Sequence, residues 1–219
     1  MRKMKGMKTV LCYGDSLTWG SDAATGGRHA PEYRWPDVLQ KALGSEVSVI
    51  AEGLRGRTTA YDEHLADCDR NGARILPTVL YTHAPLDLVI FMLGANDMKP
   101  AIAGTAVAAM QGMRRLISLV QVNALRDGST EPPGILIVAP PPLRETANTE
   151  YSAMFAGGIP QSKMLASFYA DLADETGCGF FDAGSVAQTT PADGVHLDAE
   201  NTRAIGRGLE PVVRMMLGL

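Results

Sequence analysis

Short apolar runs alternate with helical patterns along the whole chain, and few folds can accommodate that order. The apolar runs stop at or near glycine or proline, which is typical of buried strands, and cover residues 9–13, 46–51, 86–93, 134–139 and 179–182. The helical patterns cover residues 36–43, 73–82, 105–125, 161–176 and 199–217. This alternation predicts an α/β fold: a three-layer α/β/α sandwich in which a five-stranded parallel sheet lies between two layers of helices.

The helical patterns carry start and stop signals of their own. Pro36 lies at a suitable first turn, and Gly177 follows residues 161–176 as a C-terminal cap. Two further prolines fall inside patterns, where the missing N–H removes a helical hydrogen bond. We therefore expect Pro77 to disturb its helix and Pro211 to kink the last one.

The composition predicts one globular domain over residues 1–219. Hydrophobic residues make up 46% of the chain and charged residues 20%, which is ordinary globular usage. The net charge of −4 excludes the basic footprint of a nucleic-acid binder, so we expect a small ligand that is uncharged or weakly charged. No apolar run approaches the roughly 18 residues of a membrane span, and no cleavable leader pattern is recognisable, so we expect no membrane partner and a cytoplasmic protein. The apolar stripe of residues 105–125 predicts core packing or a homo-oligomer contact.

Ligands of an open parallel sheet bind beyond the carboxyl ends of its strands, so the polar residues after each strand are the candidate site residues. After the first strand, residues 14–20 read GDSLTWG and place Ser16 in a tight turn between glycines. A serine there can offer its hydroxyl as a nucleophile and its N–H to an anion. The alternative is that Ser16 only caps a helical turn. Thr18 replaces the second glycine of a G-x-S-x-G elbow, which disfavours an α/β-hydrolase proper.

Two further strand ends carry neutral hydrogen-bond donors. Gly53 follows the second strand, and Asn96 follows the third within GAND. A glycine lets its N–H approach a ligand closely, and an asparagine amide can donate to an anion. Each residue alone is also typical of an ordinary turn. Together with the N–H of Ser16, they predict an oxyanion hole.

The last loop before the final helix contains Asp193 and His196 in DGVH. A serine hydroxyl needs a general base, and imidazole is suited to that task near neutral pH. Asp193 could orient the imidazole and stabilise its charged form. An aspartate near a histidine is common elsewhere in this chain, so position at the site edge, rather than spacing, favours His196.

These segments resemble a known family. GDSLTWG, the glycine of EGLRGRTT, GAND and DGVHL are similar to the four blocks of the SGNH hydrolase (GDSL esterase/lipase) superfamily. Nearly the whole chain resembles its arylesterase/acyltransferase branch. The resemblance implies a flavodoxin-like fold and a serine esterase that cleaves short-chain acyl or aryl esters through an acyl-enzyme, with acyl transfer to alcohols as a second outcome. It implies Ser16 as nucleophile, His196 and Asp193 as base and orienting acid, and Ser16, Gly53 and Asn96 as oxyanion donors, with no metal or cofactor.

Three aromatic residues lie in loops near the expected site: Trp19, Tyr151 and Phe155. We expect them to line a narrow, apolar substrate pocket, with structural packing as the alternative. The chain departs from close members of the family at Ser21, where they carry a second tryptophan. Because serine is smaller than tryptophan, Ser21 predicts a pocket that is wider beside this residue than the pocket of those members.

Two other classes of function compete with this hypothesis. Asp15, Asn96, Asp97 and His196 are also the kinds of ligand that a metal-dependent phosphoesterase uses. Such a site needs more histidines, and the others of this chain do not fall at strand ends. A non-catalytic nucleotide-binding module is the other alternative, although neither G-x-x-x-x-G-K-[ST] nor G-x-G-x-x-G occurs.

Overall fold

The predicted strands form one parallel sheet. The computed structural model describes residues 7–123 and 132–219, and the strands within these ranges are β1 (Lys8–Gly14), β2 (Val47–Gly53), β3 (Leu88–Met92), β4 (Gly134–Ala139) and β5 (Gly179–Asp182). Their spatial order is β2-β1-β3-β4-β5, and every neighbouring pair runs parallel. This is the order of flavodoxin-like doubly wound sheets, whose ligand sites lie at the switch point between β1 and β3.

The register of the sheet brings three strand ends to the same level. Gly14 at the end of β1 pairs with Gly53 of β2 on one side and with Met92 of β3 on the other. The segments that follow these strands therefore leave the same edge of the sheet side by side. The sheet in this way brings together the loops that contain Ser16, Gly53 and Asn96.

Helices cover both faces of the sheet, and each face has its own apolar core. The longer helices are α2 (Trp35–Leu43), α3 (Gly72–His83), α4 (Ala106–Asn123), α7 (Leu165–Thr176) and α8 (Ala199–Leu217). Buried residues of α3, α4 and α7 pack on one face, and those of α2 and α8 pack on the other. Successive residues of β1 point alternately into the two cores, as expected for a strand covered on both sides. The three-layer α/β/α prediction is confirmed.

Three short helices complete the described chain: α1 (Ser16–Trp19), α5 (Thr149–Met154) and α6 (Gly158–Ser162). The predicted helix over residues 161–176 is wrong at its start, because α6 and α7 are separate. Ser162 explains the break, since its hydroxyl donates to the carbonyl of Ile159 and accepts from the N–H of Leu143.

The remaining differences concern element ends and prolines. The predicted strand 86–93 is shorter, because the Asp87 carboxylate accepts the N–H of Thr9 at 2.8 Å and pairing with β1 begins at Leu88. The helices α3 and α8 continue through Pro77 and Pro211, so each proline costs a hydrogen bond without ending its helix. The predicted end of the helix at residue 125 lies outside the described residues. Among the described helices, none combines the length and hydropathy needed to cross a membrane.

Candidate active site

Ser16 begins a one-turn helix, α1, directly after β1. The Asp15 carboxylate caps this helix by accepting the N–H of Leu17 at 2.9 Å. Gly20 ends it with a φ of +91°, a conformation that favours glycine. The capping role that the sequence left open for Ser16 therefore belongs to Asp15. Ser16 itself is buried apart from the face that lines a cleft at the sheet edge.

A chain of hydrogen bonds connects Ser16 to His196 and Asp193. His196 Nε2 lies 3.0 Å from Ser16 Oγ, and His196 Nδ1 lies 2.6 Å from Asp193 Oδ2. A carboxylate accepts hydrogen bonds, so Nδ1 carries the proton in the neutral imidazole and Nε2 is free to accept from the hydroxyl. All three side chains are buried. The arrangement can deprotonate Ser16 and stabilise the imidazolium that results.

The loop around Asp193 holds this carboxylate firmly. Asp193 Oδ1 accepts the N–H groups of Val195 and His196, each at 2.9 Å. Burial raises the pKa of Asp193, but the hydrogen bonds from His196 and Val195 outweigh it, so the pKa lies below its ordinary value. Gly194 has a φ of +77°, and a Cβ there would lie 2.4 Å from the carbonyl oxygen of Arg144. This tight turn keeps Asp193 ionised and directed at His196.

Asn96 lies in a short 3-10 turn after β3, next to α1. Its Nδ2 donates to Asp15 Oδ2 at 3.3 Å and to the carbonyl of Arg57 at 3.2 Å. Asn96 is 6% exposed and lines the same cleft as Ser16. The amide is thus held from two sides at the place where the oxyanion hypothesis needs a donor.

Gly53 is required by packing, whatever else it does. A Cβ at this position would lie 2.3 Å from the backbone nitrogen of Trp19 and 2.7 Å from the carbonyl carbon of Thr18. Only a residue without a side chain lets α1 lie this close to the end of β2. This close approach brings the backbone of Gly53 beside the helix that Ser16 begins.

Arg57 is the buried residue that the sequence analysis missed. Its Nη1 donates to the carbonyl of Gly14 at 2.9 Å and also to the carbonyl of Glu52. Its guanidinium lies over the ring of Tyr13, 3.9 Å from the ring centroid. Because its own carbonyl accepts from Asn96, Arg57 connects the ends of β1 and β2 to the Asn96 amide. An arginine in EGLRGRTT gives no signal of this burial, since arginine is rarely found fully buried.

Two buried carboxylates lie beneath the site. Burial raises the pKa of Asp15 to about 6, and it raises the pKa of Asp97 to about 6 as well. Asp97 accepts hydrogen bonds from the backbone and hydroxyl of Thr59, which joins the loop after β2 to the loop after β3. These contacts fix the segment that carries Asn96.

The cleft beside Ser16 has a volume of about 390 Å³. Tyr151 and Phe155 line it, as the sequence predicts, and their rings stack with centroids 6.4 Å apart. The Tyr151 ring also packs edge-on against the His196 imidazole at 6.0 Å. An aromatic surface therefore adjoins the reacting groups on one side.

Trp19 and Ser21, which the sequence also predicts to shape the pocket, do not line the cleft. The guanidinium groups of Arg28 and Arg55 lie 5.0 Å and 5.3 Å from the centroid of the Trp19 ring. Ser21 is 5% exposed, bridges to the backbone of Arg28 and lies outside the cleft, so the expected widening at Ser21 is not found there. Trp19 instead borders the site through Arg55, which does line the cleft.

The side chains that the metal hypothesis would use have other partners. Asp15 is bonded to Leu17 and Asn96, Asp97 to Thr59, and His196 to Ser16 and Asp193, as described above. Within residues 7–123 and 132–219, no group of three or more His, Cys, Asp or Glu side chains is arranged to hold a metal ion.

The chain is similar to known proteins in both sequence and fold. The chain matches the GDSL-like lipase/acylhydrolase family over residues 12–204. None of the curated protein sequences matches it. A solved carbohydrate acetylesterase family member from Sinorhizobium meliloti is 73% identical with a TM-score of 0.96, and the match covers 97% of this chain and 100% of that one.

Two further solved structures resemble the chain over nearly its whole length. The aryl esterase of M. smegmatis is 43% identical with a TM-score of 0.89, covering 96% of this chain and 100% of that one. A second carbohydrate acetylesterase from Sinorhizobium meliloti is 38% identical with a TM-score of 0.91, covering 95% and 99%. The chain belongs to the GDSL-like lipase/acylhydrolase family and is a carboxylic ester hydrolase.

Proposed function

We propose that Ser16, His196 and Asp193 carry out acyl transfer in this enzyme. The observation that carries the proposal is the continuous hydrogen-bonded chain from Asp193 through His196 to Ser16 Oγ. Ser16 attacks the ester carbonyl while His196 Nε2 takes its proton, and the imidazolium then protonates the departing alcohol. Water, which gives its proton to His196, then attacks the acyl group on Ser16. The imidazolium returns that proton to Ser16 Oγ as the bond to the acyl group breaks and the acid is released.

The oxyanion is proposed to lie between the backbone N–H groups of Ser16 and Gly53 and the side-chain amide of Asn96. The first N–H groups of a helix have no intrahelical acceptor, which leaves that of Ser16 available. The Asn96 amide is held by the Arg57 carbonyl, and the longer of its two bonds, to Asp15, is the one that a developing oxyanion would replace. A preorganised donor of this kind stabilises the transition state more than the ground state.

The proposed substrates are esters of short acyl chains, such as acetate, with an aryl or carbohydrate alcohol. The most similar solved structures reported above are named carbohydrate acetylesterase and aryl esterase. The cleft of about 390 Å³ and its aromatic wall suit a small acyl group and one ring-sized alcohol. Acyl transfer to alcohols, a homo-oligomeric state, a cytoplasmic location and a single domain over residues 1–219 stay predictions.

The test is turnover of phenyl acetate by Ser16→Ala, with Ser185→Ala as the control for loss of a serine outside the cleft. We expect Ser16→Ala to lose turnover while its circular dichroism and melting temperature match those of the wild type. A fluorophosphonate should label Ser16, and the labelling should persist in a chelator. Near wild-type turnover by Ser16→Ala would refute the proposal, and activity that a chelator removes and a metal restores would favour the phosphoesterase alternative.

A further inference from the structure

The cleft beside Ser16 is positively charged although the chain is not. Its charged lining comprises Arg55, Arg70 and Lys99 against Glu63, which leaves an excess of two positive charges. The whole chain has a net charge of −4. Three further acids lie near Ser16 without lining this cleft: Asp15 and Asp193 are bonded to Asn96 and His196, and Asp97 is bonded to Thr59. The net charge of the chain predicts a ligand that is uncharged or weakly charged, and the charges that line the cleft favour a charged one.

Lys99 is the most deeply placed of these cations. It is 8% exposed, and its N–H donates to the carbonyl of Asn96, so it lies one turn beyond the proposed oxyanion donor. Its ammonium is 3.7 Å from Glu63 Oε1 and 5.7 Å from the centroid of the Phe155 ring. Burial lowers its pKa and the nearby charge of Arg70 lowers it further, while the carboxylates of Glu63 and Asp15 oppose this shift. Within the described residues, Glu63 is the only ion-pair partner of Lys99, and 3.7 Å is longer than a hydrogen bond. The buried ammonium therefore has N–H donors available for a ligand.

Arg70 shares the same carboxylate. Its Nη1 donates to Glu63 Oε2 at 2.7 Å, while its Nε is buried without a hydrogen-bond partner in the described structure. Gly56, with a φ of +82°, makes room for it, because a Cβ there would lie 2.8 Å from Arg70 Cδ and Nε. One acid, Glu63, is thus shared between two cations that both face the cleft.

Arg55 adds a third cation from the exposed rim. Its guanidinium lies over the ring of Trp19, 5.3 Å from the centroid, and within the described residues it has no ion pair. The Trp19 ring therefore positions Arg55 beside the cleft without neutralising it. Arginine and lysine side chains around a concave, partly buried site concentrate a positive potential there.

We propose that the alcohol part of the natural substrate carries an anionic group, such as a carboxylate, which binds between Lys99, Arg70 and Arg55. This inference rests on the proposed function, in which the acyl group is short. A short acyl group leaves most of the cleft to the alcohol part of the substrate, which can then reach these residues. The anion pairs with the positive charge of these side chains that Glu63 alone leaves unneutralised. Lys99 and Arg70 then act as specificity-determining residues of the reaction.

The experiment compares an anionic and a neutral ester of similar size, 4-acetoxybenzoate and 4-acetoxybenzamide, by the ratio of their kcat/KM values. We expect Lys99→Met, which keeps the apolar stem, to lower this ratio about tenfold relative to the wild type. Glu63→Gln removes the competing carboxylate and should raise the ratio. The wild-type ratio should also fall as salt is increased, because screening weakens the attraction.

Lys41→Met is the matched control, since Lys41 is exposed on α2 outside the cleft and its loss changes the net charge equally. Its ratio should equal that of the wild type. Ratios that stay unchanged in both Lys99→Met and Glu63→Gln would overturn the inference; should Lys99→Met fail to fold, the response of Glu63→Gln alone decides. Failure of the proposed function is distinguishable, because the wild type would then show no Ser16-dependent hydrolysis of either ester.

Discussion

The residues beneath Ser16 and the residues around its cleft are held in different ways. The floor, consisting of Asp15, Arg57, Asn96 and Asp97, is at most 6% exposed and is joined by hydrogen bonds to strand ends and neighbouring loops. The wall, consisting of Arg55, Glu63, Arg70, Lys99, Tyr151 and Phe155, ranges from buried to exposed and is held by ring contacts and ion pairs.

This difference separates two tasks. Buried polar groups that satisfy one another fix atomic positions closely, because any displacement leaves a donor or acceptor unpaired. Ion pairs and ring contacts at a partly exposed surface adapt at lower cost. We therefore expect changes in the floor and in the residues bonded to Ser16 to act on the rate for every ester, and changes in the wall to act on the choice of ester.

The largest effect should come from His196 and Asp193, which form the hydrogen-bonded chain that ends at Ser16. His196→Ala should lower kcat/KM for phenyl acetate by about 10⁴-fold or more, because no other group would accept the Ser16 proton. Asp193→Asn should cost as much or less, since it disfavours the productive tautomer and keeps the base. Asp182→Asn is the control, because Asp182 also caps a turn through its carboxylate. Unchanged kinetics in Asp193→Asn would move the third role to another acid, with Asp15 the first to test.

The next effect concerns the oxyanion donor in the floor. Asn96→Ala should lower kcat by about 10²–10³-fold with a smaller change in KM, which is the usual cost of one such donor. Asn201→Ala, which removes a half-buried amide outside the cleft, serves as the control and should leave both constants as in the wild type. A change in KM alone would make Asn96 a binding residue and would break the distinction between floor and wall.

Arg57 tests whether the floor acts through position. Arg57→Met removes the donors to the Gly14 and Glu52 carbonyls and should lower kcat about 10- to 100-fold, because small displacements at the strand ends misplace the reacting groups. The free energy of unfolding should also fall, by about 1–3 kcal/mol. Arg57→Lys should restore part of kcat. A loss of stability with unchanged kcat would show that Arg57 holds the sheet and not the site.

The smallest effect should come from Phe155 in the wall. A second cavity of about 370 Å³ shares Tyr151, Phe155 and Val195 with the cleft as lining residues. Phe155→Ala should enlarge the cleft and raise the ratio of propionate to acetate ester activity about tenfold, the lower end of the ~1–3 kcal/mol that one methylene contributes. Phe168→Ala, in α7, is the control. An unmoved ratio would mean that Phe155 does not limit acyl length.

The sequence predicted the strand-end residues well and the surrounding loops poorly, for a physical reason. Parallel strands in register bring their carboxyl ends to one edge, so Ser16, Gly53 and Asn96 could be grouped from the strand pattern alone. His196 could be selected only by its position in the last loop at the same edge, because an aspartate near a histidine recurs elsewhere in the chain.

The wall and Arg57 depend on loop conformation, which no periodicity records. The sequence predicts Trp19 in the pocket lining, yet its ring lies outside the cleft, in contact with two arginines from different loops. Lys99 and Arg70 come from separate loops and share one ion-pair partner, Glu63. Net charge could not reveal this grouping, since it averages over residues that the fold separates.

The most direct test of the account is where an acyl group becomes attached during turnover. Wild-type enzyme mixed with 4-nitrophenyl acetate and quenched in acid within milliseconds should yield, by peptide mass spectrometry, a peptide acetylated at Ser16. The acetyl group should be absent from the same peptide of Ser16→Ala. Acetylation of another residue at a rate that matches turnover, or full turnover with no acyl-enzyme and an active Ser16→Ala, would contradict the account.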